Sequence, residues 1–228
     1  MNRHSPSPRP SPLKGRGGKV YSVKECFLTL QGEGVQAGSR AVFLRFAGCN
    51  LWSGREQDRA TADCRFCDTD FVGTDGEGGG KFSSTDALAS HAEAVWGGGT
   101  EQRLVVITGG EPMLQLDDSL VDALHARGFR IAVESNGTLA AVQNLDWICI
   151  SPKAGTDVVQ RRGNELKLVW PQAGIDPAEL ETWSFDHFLV QPMDCEEREA
   201  ALKAAIALAM ERPKWRLSLQ AHKVVGLP

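Results

Sequence analysis

Hydrophobic residues occur along this chain in short runs that alternate with polar or glycine-rich segments. β-branched, aromatic and aliphatic residues dominate 21–30 and 40–46, and a continuous apolar run lies within 103–108. Runs of this length bounded by turn-forming residues are typical of β-strands. Residues 84–96 and 114–127 instead resemble helices, with a polar residue at the start of the first and a glycine after the second. The pattern predicts two early strands, then helices that alternate with a buried strand.

The alternation continues in the second half of the chain. Further strands are predicted at 129–134, 146–150, 165–169, 187–191 and 215–219. A helix is predicted at 196–211, where it ends before Pro213. Strands joined by helices or loops form a parallel sheet with crossovers, and these are too few for an eight-stranded barrel of about 250 residues. The predicted fold is α/β, a partial, open (β/α) barrel with about six mostly parallel strands.

The first residues differ in composition from the rest of the chain. Residues 1–19 are rich in Pro, Ser, Gly, Lys and Arg and contain almost no apolar residues. Such a segment cannot bury enough apolar surface to offset its ordering entropy. We therefore expect a disordered N-terminal tail at 1–19 and one core domain at 20–228.

The overall composition is ordinary for a soluble globular protein. Hydrophobic residues make up 42%, charged residues 24%, and the formal net charge is −4. This charge does not favour binding along a nucleic-acid backbone. No apolar run approaches the roughly 20 residues of a membrane helix, and the basic N-terminus lacks the apolar region of a secretory signal. We expect neither nucleic-acid nor membrane partners.

Six cysteines are present, and their spacing is unlike that of a small disulfide-stabilised scaffold. This favours a reducing, cytoplasmic setting. Cys26 and Cys149 lie in predicted strands and are expected to be small buried hydrophobic residues. Cys195 lies at the start of a predicted helix.

The other three cysteines share one segment. Fourteen residues separate Cys49 from Cys64, and two separate Cys64 from Cys67. Structural zinc and protein-held iron–sulfur clusters usually take four protein ligands. Three cysteines would leave one iron of a [4Fe–4S] cluster open, as a reactive metal site requires. The alternatives are a zinc knuckle completed by Asp68 or a histidine, or plain buried thiols.

Unusual motifs follow the predicted strands. They are Gln31–Gly34, 47–49, 108–112, 134–138, 151–153 and 191–194. Parallel α/β sheets and barrels bind ligands at the carboxyl ends of their strands. We therefore expect these motifs to converge on one mouth, covered by the cysteine segment.

The three cysteines followed by Gly109-Gly110-Glu111 resemble a radical S-adenosylmethionine enzyme. The usual spacing between the cysteines is three residues and then two. The fourteen-residue gap is similar to a variant found in 7-carboxy-7-deazaguanine synthases, radical enzymes of the 7-deazapurine (queuosine) pathway of tRNA modification. Gln31–Gly34, 67–69, 151–153 and 191–194 also fit that family. The resemblance covers about residues 20–228.

The resemblance implies three cofactors: a [4Fe–4S] cluster, S-adenosyl-L-methionine and Mg²⁺. Cys49, Cys64 and Cys67 would hold the cluster, and the hydroxyl of Thr69 would bind Mg²⁺, with Asp68 and Asp70 as alternative ligands. Glu111 would accept a hydrogen bond from the ammonium group of S-adenosylmethionine. The implied cofactor-binding residues are Gly110, Glu111, Ser135, Ser151, Pro152, Lys153, Gln191, Pro192, Met193 and Asp194. Each of these motifs is, taken alone, also compatible with an ordinary turn or loop.

The implied substrate is 6-carboxy-5,6,7,8-tetrahydropterin. Arg45 could bind its carboxylate through two hydrogen bonds, although a surface charge is the alternative. Glu33 could accept hydrogen bonds from the N–H groups of the pterin. The C-terminal tail would close the active site, with a frayed terminus as the alternative. The implied substrate-binding residues are Leu30, Gln31, Gly32, Glu33, Arg45, Thr108, His222 and Pro228.

The implied reaction is a radical ring contraction to 7-carboxy-7-deazaguanine with loss of ammonia, which makes the protein a carbon–nitrogen lyase. No side chain is assigned as catalytic beyond the cluster and the cofactor radical. The implied partners are a flavodoxin-like one-electron reductant and a second copy in a homodimer. The alternatives are another radical S-adenosylmethionine enzyme, such as a glycyl-radical activase, and a non-catalytic iron–sulfur or zinc module. Trp52, Arg55 and Arg59 have no explanation beyond a cover over the cluster.

Overall fold

The structure is a computed structural model that describes residues 19–228; the tail predicted at 1–19 lies outside them except for Lys19. The strands are β1 (Tyr21–Leu30), β2 (Arg40–Phe46), β3 (Gly80–Phe82), β4 (Leu104–Gly109), β5 (Arg130–Ser135), β6 (Trp147–Ile150), β7 (Arg162–Trp170), β8 (Ser184–Pro192) and β9 (Trp215–Leu217). The helices are α1 (Thr85–Trp96), α2 (Asp118–His125), α3 (Pro177–Leu180), α4 (Arg198–Glu211) and α5 (Ala221–Val225). Two 3₁₀ helices cover Glu56–Thr61 and Pro112–Leu114.

All the strands of the described residues form a single sheet. Its order is β3-β1-β2-β4-β5-β6-β7-β8-β9. From β2 to β9 each neighbouring pair is parallel, whereas β1 is antiparallel to both β2 and β3. The outer strands β3 and β9 do not pair, so the sheet stays open. This confirms the partial (β/α) barrel that the sequence predicts.

The two faces of the strands pack differently. In β2, Val42 and Leu44 join Leu88, Leu120 and other residues in the main hydrophobic core beneath α1 and α2. The alternate residues Ala41 and Phe43 point to the opposite face, where they join a smaller cluster. A second core lies between α4 and strands β7 to β9. The helices therefore cover the outside of the sheet and leave its inner face for the site.

The helices begin where the sequence provides caps. The hydroxyl of Ser84 accepts a hydrogen bond from the Ala87 N–H at the start of α1. Asp117 accepts one from Leu120 at the start of α2. The helix predicted from residue 114 therefore begins only at Asp118. The preceding Gln115 bonds instead to the backbone of Ser22 and Ala47. No helix in residues 19–228 is both long and apolar enough to cross a bilayer.

The sequence pattern misses β3, which lies at the end of a glycine-rich segment. A Cβ added at Gly79 would lie 2.2 Å from the carbonyl oxygen of Lys24, so this backbone packs directly on β1. The Cys26 N–H also donates to the Glu77 carbonyl over 2.7 Å. Glycine allows this close approach because it has no side chain. The glycine-rich segment therefore packs against β1 and leads into β3.

The rule that ligands bind at the carboxyl ends of parallel strands does not apply to the motif that follows β1. Because β1 is antiparallel to β2, Leu30 pairs with Arg40, the first residue of β2. The Gln31–Gly34 turn therefore lies at the amino edge of the parallel strands, and the other motifs lie at the carboxyl edge.

Candidate active site

A cavity of about 320 Å³ lies on the inner face of the sheet. Its lining includes residues from both edges, so it extends from the turn after β1 to the carboxyl ends of β4 to β8. All eight predicted substrate-binding residues line it: Leu30, Gln31, Gly32, Glu33, Arg45, Thr108, His222 and Pro228. The structure therefore brings together residues that are up to 198 positions apart in the sequence (228 − 30).

Most of the predicted cofactor-binding residues line the same cavity. Those that do are Gly110, Ser135, Ser151, Lys153, Gln191, Pro192, Met193 and Asp194. Glu111 and Pro152 do not line it, and Thr69 does. One cavity thus contains both predicted sets.

The side chain of Glu111 is fully buried and serves the protein itself. Its carboxylate accepts hydrogen bonds from the Met113 N–H, the Ser135 hydroxyl and the Asn136 N–H. Burial raises the pKa of this carboxyl, although these donors oppose the shift. The structure therefore makes Glu111 a group that orders the end of β5, and its contact with an ammonium group stays a prediction.

The three cysteines lie at one side of the cavity, and none of them forms a disulfide. Cys64 and Cys67 line it, and Cys49 packs beside Gly110, where an added Cβ would be 2.6 Å from the Cys49 Cβ. Burial raises the pKa of Cys49 and of Cys64, and the charge of Cys67 adds to both shifts. The three thiols are therefore close enough to influence each other electrostatically.

The three thiols do not converge on a site for one metal ion. Among residues 19–228, no three His, Cys, Asp or Glu side chains converge as ligands of one ion. A [4Fe–4S] cluster has a different requirement, because each thiolate binds a different iron. Cys26 and Cys149 are buried in strands, as predicted, and do not line the cavity.

The insertion between the first two cysteines forms a compact unit. The guanidinium of Arg59 lies 4.1 Å from the centre of the Trp52 ring. It donates to the carbonyls of Arg65 and Cys67 over 2.9 and 3.1 Å, and the Trp52 indole donates to the Arg55 carbonyl. These contacts explain Trp52 and Arg59 as supports of the segment that carries Cys64 and Cys67.

Comparison with known proteins agrees with this geometry. Residues 57–169 match the Radical SAM superfamily. The chain is 62% identical over 209 residues to the 7-carboxy-7-deazaguanine synthase of Caulobacter vibrioides, covering 92% of this chain and 100% of that protein. It is 58% identical to the synthase of Bordetella pertussis, with the same coverage. The crystal structure of QueE from Escherichia coli matches with a TM-score of 0.67 and 27% identity, covering 89% of this chain and 95% of that one.

The chain belongs to the 7-carboxy-7-deazaguanine synthase family. It is therefore a radical S-adenosylmethionine enzyme, and its cofactors include a [4Fe–4S] cluster and S-adenosylmethionine. These findings confirm the predicted family, enzyme class and two of the cofactors.

Several residues in the cavity of this member of the synthase family were missed from the sequence, and the most deeply buried charged one is Lys167. Lys167 in β7 is buried, and its ammonium group donates to Glu33 and, over 3.0 Å, to Glu134. Burial alone would raise the pKa of Glu33, but Lys167 lowers it to about 2. The sequence contains one indication of this ion pair: Lys167 lies inside the apolar run 166–169, and a lysine buried in such a run requires an anionic partner.

Arg45 lies in β2 with most of its side chain buried. Its Nε donates to Glu25 over 2.7 Å, which fixes the guanidinium at the cavity wall. This ion pair was not predicted, because Glu25 lies on the neighbouring strand β1.

The C-terminal tail lies against the turn after β1. The Ala221 N–H donates to the Gly32 carbonyl over 2.8 Å, and a Cβ at Gly32 would lie 2.1 Å from Nδ1 of His222. The Pro228 carbonyl accepts from the Thr29 hydroxyl. Lys223 forms ion pairs with Asp68 and Asp194 over 2.9 and 2.6 Å. The tail therefore connects the cysteine segment to the end of β8.

Proposed function

We propose that this chain is the enzyme that converts 6-carboxy-5,6,7,8-tetrahydropterin to 7-carboxy-7-deazaguanine with loss of ammonia. The observation that carries the proposal is the single cavity lined by all eight predicted substrate-binding residues and by two of the three clustered cysteines. Relatives with up to 62% identity bear the name of this synthase, which supports the same reaction here.

The polar end of the cavity suits the guanine-like edge of the pterin. Gln31, Glu33 and Glu134 line this end and offer carboxylate and amide oxygens. Ionised carboxylates only accept hydrogen bonds, and the pterin edge presents N–H donors. Phe27 and Phe43 line the wall, with ring centroids 5.8 Å apart, and offer apolar surface to the flat ring.

The carboxylate of the substrate would lie near Arg45 and Thr69. With its Nε bonded to Glu25, the guanidinium of Arg45 keeps its terminal N–H groups for an anion. For Mg²⁺ we propose the hydroxyl of Thr69 as protein ligand. Asp68 is paired with Lys223, and Asp70 with Lys24 over 2.7 Å, so both carboxylates already have cationic partners.

The carboxyl ends of β4 to β8 would hold S-adenosylmethionine. Gly110 brings backbone against the cysteine segment, and Glu111 holds Ser135 and Asn136 in place from behind. When bound and reduced, the cluster and S-adenosylmethionine supply the radical that starts the rearrangement. The protein binds and orients the pterin beside them and excludes water through the C-terminal tail, which we propose closes the site of a core domain spanning 20–228.

We further propose a cytoplasmic setting, a flavodoxin-like reductant and a homodimer, in keeping with the family resemblance. One observation supports the homodimer. Leu202, Ile206 and Met210 are exposed along one stripe of α4, and Met210 is 80% exposed. Apolar stripes of this kind often mark protein interfaces.

Anaerobic turnover tests the proposed reaction. The reconstituted protein is incubated with S-adenosylmethionine, dithionite and 6-carboxy-5,6,7,8-tetrahydropterin, with and without Mg²⁺. We expect ammonia and 7-carboxy-7-deazaguanine in equal amounts, and faster formation with Mg²⁺. Formation of 5′-deoxyadenosine without consumption of the pterin would retain the radical enzyme but reject this substrate.

A further inference from the structure

Lys167 is a buried cation at the cavity with no assigned part in binding the pterin or the cofactors. The side chain of Lys167 is only 5% exposed, and its Nζ contacts Oε2 of both Glu33 and Glu134. Burying a charge is unfavourable unless it is paired and hydrogen-bonded. The charged form of the ammonium group therefore requires these two carboxylates as partners, and each of them forms an ion pair with it.

The second oxygen of each carboxylate is bonded to an amide. Nε2 of Gln31 donates to Oε1 of Glu134 over 2.8 Å, and Nε2 of Gln220 donates to Oε1 of Glu33 over 2.9 Å. Each carboxylate is thus fixed by two donors. Since a carboxylate oxygen has more than one lone-pair position, both can still accept hydrogen bonds from a ligand.

Other titratable groups surround the triad formed by Lys167, Glu33 and Glu134. The carboxylate of Glu165 accepts hydrogen bonds from the Val35 N–H, the Trp147 indole and the Cys149 thiol. On the cavity side the titratable groups are His222, Arg45 and Lys153. The ammonium group of Lys153 donates to the Ser151 hydroxyl. None of these forms an ion pair with the triad.

We propose that Lys167 is a positioning residue that holds Glu33 and Glu134 as two ionised acceptors for the N–H groups of the pterin edge. Without a cation, two neighbouring buried carboxylates cannot both stay ionised, and one takes up a proton. A protonated carboxyl would direct its own hydrogen toward an N–H donor of the ligand and lose that hydrogen bond. This inference rests on the proposed function, because it assumes a pterin in the cavity.

The arrangement also implies a choice between ligands. An analogue with oxygen in place of the 2-amino group, 6-carboxy-tetrahydrolumazine, presents an acceptor to the same carboxylates. Two acceptors facing each other repel and leave a polar group unpaired. The triad should therefore select pterins over lumazines, and this selection should depend on Lys167.

The test measures binding without turnover. Anaerobic calorimetry follows 6-carboxy-5,6,7,8-tetrahydropterin binding to the cluster-loaded protein with S-adenosylmethionine but no reductant, between about pH 6 and pH 9. For the unaltered chain we expect an affinity that the triad does not make pH-dependent, because the pKa of Glu33 lies far below this range.

Lys167→Met should weaken pterin binding by at least about tenfold, the effect of losing charged hydrogen bonds. Its affinity should rise with pH, because the carboxyl that has gained a proton must lose it again. Its preference for the pterin over the lumazine should shrink, and its affinity for S-adenosylmethionine should not change. Unchanged pterin affinity with a flat pH profile would overturn the proposal, as would an equal loss for both ligands.

Three further variants provide controls. Arg212→Met removes the cation of an ion pair with Glu181 outside the cavity and should leave pterin affinity unchanged. Lys167→Arg keeps the charge and should keep the flat pH profile. Lys167→Met combined with Glu33→Gln restores the charge balance, so its pterin affinity should be no lower than that of Lys167→Met.

If Lys167→Met does not fold, a pterin affinity that depends on pH in Lys167→Arg would reject the proposal. Failure of the unaltered chain to bind the pterin would instead reject the proposed function.

Discussion

Gly110 is a residue whose missing side chain matters. A Cβ there would lie 2.4 Å from the Gly48 carbonyl and 2.6 Å from the Cys49 Cβ. We predict that Gly110→Ala lowers stability by about 1–3 kcal/mol, the usual cost of overpacking, and displaces Cys49. Thermal unfolding and the iron content after anaerobic reconstitution measure both effects.

Gly98→Ala is the matched control, because a Cβ at that position meets no atom within 4 Å. It should keep full iron content. If Gly110→Ala retained iron as well as Gly98→Ala does, the close approach at Gly110 would not be needed for the cluster.

At this scale the sequence identifies most of the cavity but not the buried Lys167. Gln31, Glu33 and Arg45 stand in or beside motifs that match the synthase family, so their place at the cavity could be expected. Lys167 belongs to no such motif, and its partners lie 134 and 33 positions away. The burial of Glu111 was also unpredictable, because two of its donors, Ser135 and Asn136, come from the end of a different strand.

Among the elements, the 3₁₀ helix at Glu56–Thr61 fixes the position of Arg59. We predict that Arg59→Ala weakens the cysteine segment by about 1–3 kcal/mol, since it removes charged hydrogen bonds to two carbonyls and the contact with Trp52. The rate at which a chelator removes iron from the reconstituted protein should rise about tenfold or more.

Arg55→Ala provides the comparison for Arg59→Ala. Only the backbone carbonyl of Arg55 receives the Trp52 hydrogen bond, and that group survives the substitution. Equal rates of iron removal from both variants would mean that the insertion does not support the cluster ligands.

The strands were predicted better than their directions. The bounds of β1 and β2 agree with the hydrophobic pattern residue for residue. The pattern does not show that β1 runs antiparallel, because alternation alone does not record the direction of a neighbour. The pattern misses β3 for a different reason. This strand has only three residues and follows a run of glycines, which have no side chain to show a pattern and which contact β1 through their backbone.

For the whole molecule, the exposed stripe on α4 bears on the proposed homodimer. We predict that Met210→Glu shifts the protein toward the monomer, because it places a charge in an apolar interface. Light scattering coupled to size-exclusion chromatography measures the mass directly.

Val159→Glu makes the same kind of change at an exposed apolar residue in the loop before β7. It should leave the mass unaltered. A dimer that persists in Met210→Glu would show that α4 is not the interface.

The residues that line the cavity come from nearly the full length of the described chain, from Phe27 to Pro228. Since ribosomes synthesise proteins from the N-terminus, Cys49, Cys64 and Cys67 emerge well before the tail that contacts the turn after β1. The cysteine segment can therefore be complete while one wall of the cavity is still missing. In the cell, the thiols are therefore synthesised before the residues that complete the cavity.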